Sequence, residues 1–155
     1  MMEPDSVNVR VYGVLIDEHK RVLVSDEYIR GDYFTKLPGG GLEVGEGTRD
    51  CLKREFKEET GLDVTIGEHL YTTDFYLQSA FNKSHQILAI YYFVHCEKLE
   101  GLSVHTIPFD FTPEQISDPD GQSEALRWID WDALDESKFS LPIDKVIVQL
   151  LKKMP

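Results

Sequence analysis

The chain has 155 residues, 41% of them apolar and 28% charged, which is the size of one domain with a packed core and excludes a disordered or collagen-like polymer. Sixteen basic against 28 acidic residues leave a net charge of −12, a field that repels nucleic acid polymers and anionic membrane surfaces, so phosphate chemistry in this chain calls for a metal cation as intermediary. Apolar runs such as Ile87 to Val94 fall far short of the roughly 18 residues of a membrane span, and the N-terminus lacks the basic-then-apolar pattern of a secretory signal, so a cytoplasmic protein is expected. Val7 to Ile16 is rich in β-branched residues and, after the polar Asp17-Glu18-His19-Lys20, is followed by Arg21 to Ser25; the pair reads as a hairpin. Tyr28 to Lys36 is polar and aromatic. Leu37 to Gly47 holds five glycines and a proline, which predicts irregular backbone able to approach a ligand closely. Thr48 is placed to cap a helix that runs to Thr60, with Gly61 as its left-handed stop. Asp63 to Leu77 and His85 to Cys96 read as strands, the second apolar on both parities and therefore central in its sheet. Glu100 to Ser123 carries Pro108, Pro113 and Pro119 and reads as a long loop with a helical turn near Pro113 to Ile116. Leu126 to Asp130 is a last short strand, and Pro142 to Lys153 a closing amphipathic helix with Ile143, Val146, Ile147 and Leu150 inward. Cys51 and Cys96 have no Cys-x-x-Cys spacing and read as reduced, buried thiols.

Projected at about 100° per residue, the helix from Thr48 to Thr60 places Glu55, Glu58 and Glu59 within roughly 100° of arc, on the side of Cys51 and Leu52 and away from Lys53 and Lys57. Three clustered carboxylates repel one another unless a cation neutralises them, which suits an oxygen-rich site for a hard divalent ion, magnesium or manganese. A bare Glu-x-x-Glu-Glu is more often a solvated acidic face with local salt bridges; the wider context decides.

From Gly40 the chain runs Gly40, five residues, Glu46, seven residues, Arg54-Glu55-Phe56, one residue, Glu58-Glu59, one residue, Gly61-Leu62. This resembles the signature box of the Nudix hydrolase family at every specified position. Seven fixed identities at about 7% each coincide by chance in a chain of this length on the order of once in a million or less. The flanks Leu37-Pro38-Gly39 and Trp128 to Leu134 also resemble the family. The resemblance implies an α/β fold, the Nudix α/β/α sandwich with a mixed β-sheet, over a single domain of residues 1–155. It implies a magnesium-dependent pyrophosphohydrolase that directs water at phosphorus in a nucleoside diphosphate linked to another group. It further implies Glu58 and Glu59 as metal ligands, Glu55 as a further ligand or as the base, and the Gly39 carbonyl in the metal shell. Gly40, Glu46, Arg54 and Gly61 are structural, with Arg54 forked onto Glu46 to pin the glycine-rich loop. Asp118, Asp120 and Glu124 lie where many members place an additional metal ligand or base, and Glu124 is the candidate taken. Many relatives are homodimers, so the resemblance admits a homodimer here.

An acidic protein binds an anionic substrate through its metal plus a few local cations, and Arg10, Arg30 and Lys36 are the candidates. His85 is a candidate for lining the substrate cleft from a strand end; it cannot share a metal with His95, because ten strand residues span roughly 33 Å. Tyr12, Tyr33, Phe34, Phe75 and Tyr76 include candidate stacking partners for a nucleobase. The long loop has two readings, a substrate lid that delivers an acid, or a surface excursion whose Phe109 and Phe111 pack on the sheet. Two other functions stay open: a Nudix-fold nucleotide sensor without hydrolysis, disfavoured by the intact box glutamates, and another magnesium-dependent enzyme of this fold such as an isoprenoid diphosphate isomerase. The downstream marks of NADH-cleaving and CoA-cleaving members are missing, and Leu77, Gln78 and Ser79 stand where a specificity-marking proline or tyrosine is expected. The substrate is thus specified only as a class.

Overall fold

A computed structural model describes residues 3–154. The elements run β1 (Ser6–Leu15), β2 (Arg21–Ile29), β3 (Asp32–Lys36), β4 (Gly39–Gly41), α1 (Thr48–Thr60), β5 (Thr65–Thr72), β6 (His85–His95), β7 (Gln122–Asp130) and α2 (Pro142–Lys152). They fall into two compact units, one formed by residues up to Leu15 with Pro38–Glu100, the other by Ile16–Leu37 with Gly101 onward.

The first unit is a mixed four-stranded sheet in the order β4-β1-β6-β5. β1 runs parallel to β6 over ten rungs from Ser6–His85 to Leu15–Val94 and antiparallel to β4, while β5 closes the other edge antiparallel to β6. The apolar parities of β6 are explained by this interior position, with Ala89 and Tyr91 fully buried. α1 packs on this sheet at Gly13: a Cβ there would stand 2.5 Å from Val94 Cγ2 and 2.7 Å from Phe56 Cε2. The missing side chain is what lets the buried Phe56 ring come down onto β1. The helix keeps the expected bounds and ends at Gly61 with φ 77. Its N-cap, however, is Gly47 and not Thr48; the Thr48 hydroxyl is instead 2.7 Å from the Tyr92 hydroxyl.

The second unit is a three-stranded antiparallel sheet, β3-β2-β7, followed by α2. The expected hairpin between the first two strands is corrected here. β1 and β2 belong to different sheets, and among the described residues their ends are linked by the single bridge Ile16 to Val22. Asp17 makes the tight reversal, accepting from the His19 and Arg21 amides at 3.0 and 2.8 Å. The true hairpin is β2 to β3, closed by Arg30 and Gly31 at φ 47 and 89, the left-handed pair that a two-residue turn matched to strand twist requires. In α2 the buried residues are Ile143, Asp144, Ile147, Val148 and Leu151, so the apolar face is rotated from the expected one; Val146 and Leu150 are half-buried. Cys51 is buried but Cys96 only partly so, and both are free thiols. Among the described residues no helix is long and apolar enough to cross a membrane.

Strand alternation gives the second sheet two chemically different faces. On one, Asp26 is fully buried and saturated: Arg127 donates to it at 2.7 and 2.9 Å, the Thr35 hydroxyl at 2.7 Å and the Phe109 amide at 3.2 Å. This clamp holds the long loop on the sheet. Tyr33 meets Phe109 at 5.5 Å and Phe111 at 6.4 Å between ring centroids, the Tyr28 hydroxyl donates to the Asp118 carbonyl, and the His105 amide donates to the Leu126 carbonyl. The packing reading of the loop is therefore the one the geometry supports, and the expected turn is present at Glu114–Ile116. Asp26→Ala should cost about 3–5 kcal/mol, since it strands a mostly buried guanidinium. Urea denaturation measures this, and an unchanged midpoint would contradict the clamp.

Candidate functional site

The glycine-rich segment does not form wholly irregular backbone. Gly39–Gly41 is a short strand paired to Tyr12, Val11 and Arg10 of β1. Gly39 has φ 151, and a Cβ on it would stand 2.1 Å from the Val11 carbonyl oxygen, so no side chain fits there. At Gly40 the obstacle is a side chain: a Cβ would lie 2.4 to 2.6 Å from the Glu55 carboxyl carbon and oxygens. The glycine is what allows that carboxylate to lie against the strand.

Arg54 is the hub of α1. Its Nε and Nη2 donate to the two Glu46 oxygens at 3.0 and 2.7 Å, the planar bidentate match of guanidinium to carboxylate. Nη2 also donates to the Gly41 carbonyl at 3.0 Å. Nη1 turns to the other side, donating to Glu55 at 3.0 Å and to Glu58 at 3.3 Å. Glu59 faces the strand and accepts from the Gly39 amide at 3.2 Å. The Arg54 fork and the Glu43 amide hold the Glu46 carboxyl down at about 2. In return Glu46, with Glu55 and Glu58, raises Arg54 further above the usual guanidinium range. Burial first, then the neighbouring Glu46, pushes the Cys51 thiol up to about 12, so it is an inert packing group.

The helix thus brings Glu55, Glu58 and Glu59 to one side as the projection predicts, yet their carboxylates do not converge. Among the described residues no three acidic, histidine or cysteine side chains stand close enough to hold a metal as placed. Glu55 and Glu58 share Arg54 Nη1, whereas Glu59 accepts from the Gly39 amide. The donor set is nevertheless all carboxylate oxygen, with one guanidinium against four glutamates, and that excess of hard anionic ligands fits a divalent cation of the magnesium type.

Of the expected substrate cations, Arg10 is placed beside the box: it pairs with Gly41, and its guanidinium Nη1 is 3.5 Å from where a Gly41 Cβ would stand. His85 pairs with Ser6, four rungs from Ala89, the β6 partner of Arg10. In the second unit, Arg30 is a turn residue whose amide donates to the Gly121 carbonyl. Lys36 lies in β3 with Nζ 3.2 Å from Glu27 Oε1. Glu124 stands in β7 directly opposite Glu27. Reading the sequence alone misses Asp26, Glu27 and Arg127; their only signal is charge inside strands that otherwise read as core.

The sequence pattern of the NUDIX domain matches residues 7–151. The chain belongs to this family. A "MutT-like protein" of Streptomyces ambofaciens is 31% identical over 136 residues, covering 85% of this chain and 80% of that protein. An "8-oxo-dGTP diphosphatase" of Proteus vulgaris is 34% identical over 67 residues, which are 42% of this chain and 59% of that protein. The match thus spans less than two thirds of that relative's length. Among solved structures, the MutT NUDIX hydrolase from Burkholderia pseudomallei superposes with a TM-score of 0.64 at 18% identity, covering 94% of this chain and 98% of that one. The chain is a Nudix hydrolase with the α/β Nudix fold, as its box implies.

Glu46 gives this Nudix box a pH signature. Its folded pKa, about 2, lies below the ordinary 4.5, so its stabilising contribution is complete above about 4.5 and fades as pH falls toward 2. Wild type should therefore melt above Glu46→Gln at neutral pH, with the gap closing across that window. A gap in Tm that stays constant down to pH of about 2.5 would contradict the pairing.

Proposed function

We propose that this Nudix hydrolase is a magnesium-dependent pyrophosphohydrolase of the cytoplasm that cleaves the diphosphate linkage of a nucleoside diphosphate derivative by attack of water on phosphorus, with residues 1–155 acting as one catalytic domain. The single observation that carries this reading is the seating of the Glu55 carboxylate against Gly40, where no Cβ fits, beside Glu58 and Glu59 on the same helix. The missing side chain at Gly40 leaves room for a carboxylate.

In this reading Glu58 and Glu59 hold the ion, with the Gly39 carbonyl alongside, and Glu55 either completes the ligand set or takes the proton from the attacking water. Manganese can substitute for magnesium, because the oxygen ligands suit both. What the ion supplies is neutralisation of the diphosphate oxygens and activation of water. Arg54 keeps the helix and the glycine strand in register through Glu46 and the Gly41 carbonyl, so that the carboxylates stay aimed while the substrate changes charge. Arg10, beside Gly41, adds a cation for the diphosphate.

The test is hydrolysis by purified protein with magnesium across nucleoside diphosphate sugars, dinucleotides and nucleoside triphosphates. The relative from Proteus vulgaris puts 8-oxo-dGTP in that panel. Glu58→Gln and Glu59→Gln should each lower turnover by roughly 10³-fold or more with the melting temperature retained, because each removes ligand charge and no core packing. Near-normal turnover in both variants, or no hydrolysis of any panel member by wild type, would contradict the proposal.

A further inference from the structure

Arg10 is a long cation in the middle of a strand, and a side chain with that much rotamer freedom stays aimed at a substrate only if something holds it. The holder stands two residues along β1. Arg10 and Tyr12 share a face of the sheet. Arg10 Nε donates to the Tyr12 hydroxyl at 2.7 Å, and the guanidinium carbon lies 5.8 Å from the centroid of the Tyr12 ring. Tyr12 is itself immobilised: it is buried, pairs with Gly39 on one side and Tyr91 on the other, and its ring stacks on the buried Tyr91 ring at 5.3 Å between centroids. On the β4 side the ring fits closely because Gly39 has no side chain; a Cβ there would meet Tyr12 Cδ1 at 2.8 Å. Packing therefore fixes the ring, and the ring fixes where its hydroxyl points.

The neighbours of Arg10 complete its seat. Its partners across the sheet are Gly41 on β4 and Ala89 on β6, two of the smallest residues, and Nη1 lies 3.5 Å from the point that a Gly41 Cβ would take. Gly40 and Gly41 point to opposite sides of β4. Glu55 occupies the place of a Gly40 side chain, while Arg10 Nη1 borders the place of a Gly41 side chain. The box carboxylate and Arg10 thus stand on opposite sides of a strand three residues long, which separates binding at Arg10 from chemistry at the carboxylates. We propose that Tyr12 is the positioning residue for Arg10: its hydroxyl fixes the guanidinium beside Gly41, where it binds the part of the diphosphate farther from the box carboxylates. The pair then governs affinity for the substrate and not the rate of bond cleavage. This rests on the reading of Arg10 as a cation for the diphosphate.

The experiment has two readouts. The first is calorimetric binding of imidodiphosphate, a pyrophosphate analogue that resists hydrolysis, in the presence of magnesium, so that turnover does not contribute. The second is the steady-state kinetics of the nucleotide that wild type hydrolyses best. Arg10→Ala should weaken imidodiphosphate binding about tenfold or more, the increment expected from hydrogen bonds between charged groups. Tyr12→Phe keeps the ring on Tyr91 and removes the hydroxyl alone. It should weaken binding about fivefold, raise KM by a similar factor and leave kcat within about twofold. In the double variant the Tyr12 change should add less than about twofold to the effect of Arg10→Ala, because no guanidinium is left to position. A merely structural Tyr12 predicts a lowered Tm with KM unchanged, or an equal loss in both backgrounds, and either result overturns the proposal. Unchanged affinity and KM in Arg10→Ala would overturn the reading of Arg10 and this proposal with it. The expected binding pattern without hydrolysis of any nucleotide would refute the pyrophosphohydrolase reading and leave the coupling of Tyr12 to Arg10 standing.

Discussion

One guanidinium organises the box. Arg54 contacts Glu46, the Gly41 carbonyl, Glu55 and Glu58, so the loop that precedes α1, the strand beneath it and the carboxylates along it are all referred to the same planar group. A lysine at this position would supply the charge without the geometry, because its ammonium is a point donor and cannot bond both Glu46 oxygens in plane while reaching two further carboxylates. Glu46 is the partner that fixes the fork, and its depressed pKa is the electrostatic trace of that role. Glu55 and Glu58 share the other end of the guanidinium. Glu59 turns instead to the Gly39 amide, which is why the acidic side of the helix is assembled without all three carboxylates converging.

Glycine determines what can lie against the strands. Gly13 admits Phe56 to β1 and Gly40 admits the Glu55 carboxylate to β4. One of these absences of a side chain serves packing and the other brings a carboxylate to the backbone. In the second unit the sorting is done by strand alternation. Asp26, Thr35 and Arg127 point to the face that the long loop covers and saturate one another. Glu27 and Lys36 pair on the other face, where the Ser25 hydroxyl has no hydrogen-bond partner among the described residues.

What could be read in the sequence was whatever is local. The bounds of α1, its Gly61 stop and the arc shared by its glutamates follow from helical geometry within thirteen residues, and the spacing of the box carried the family. The interior position of β6 followed from its two apolar parities. The failures share a cause, namely pairing between distant segments. β1 reads as half of a hairpin because Arg21 to Ser25 is near, but its long ladder is with β6, some eighty residues on, and no local pattern announces a parallel partner. The glycine run reads as loop because glycine lacks strand preference; its strand character is conferred by β1. The long loop's attachment depends on a buried aspartate in β2 that from sequence is one charge among 28 acidic residues. Lys36 read as a free surface cation because its partner, Glu27, lies on another strand.

The central claim is that Glu58 and Glu59 of α1, with Glu55 beside them, form a divalent cation site. Titration of magnesium into labelled protein, followed at the Arg54 Nε–H and the Gly39 and Gly40 amides by NMR, tests it without substrate or turnover. A saturable shift of these three resonances that is abolished in Glu58→Gln with Glu59→Gln is the predicted result. Resonances that do not move at millimolar magnesium, or that move equally in the double variant, would contradict it.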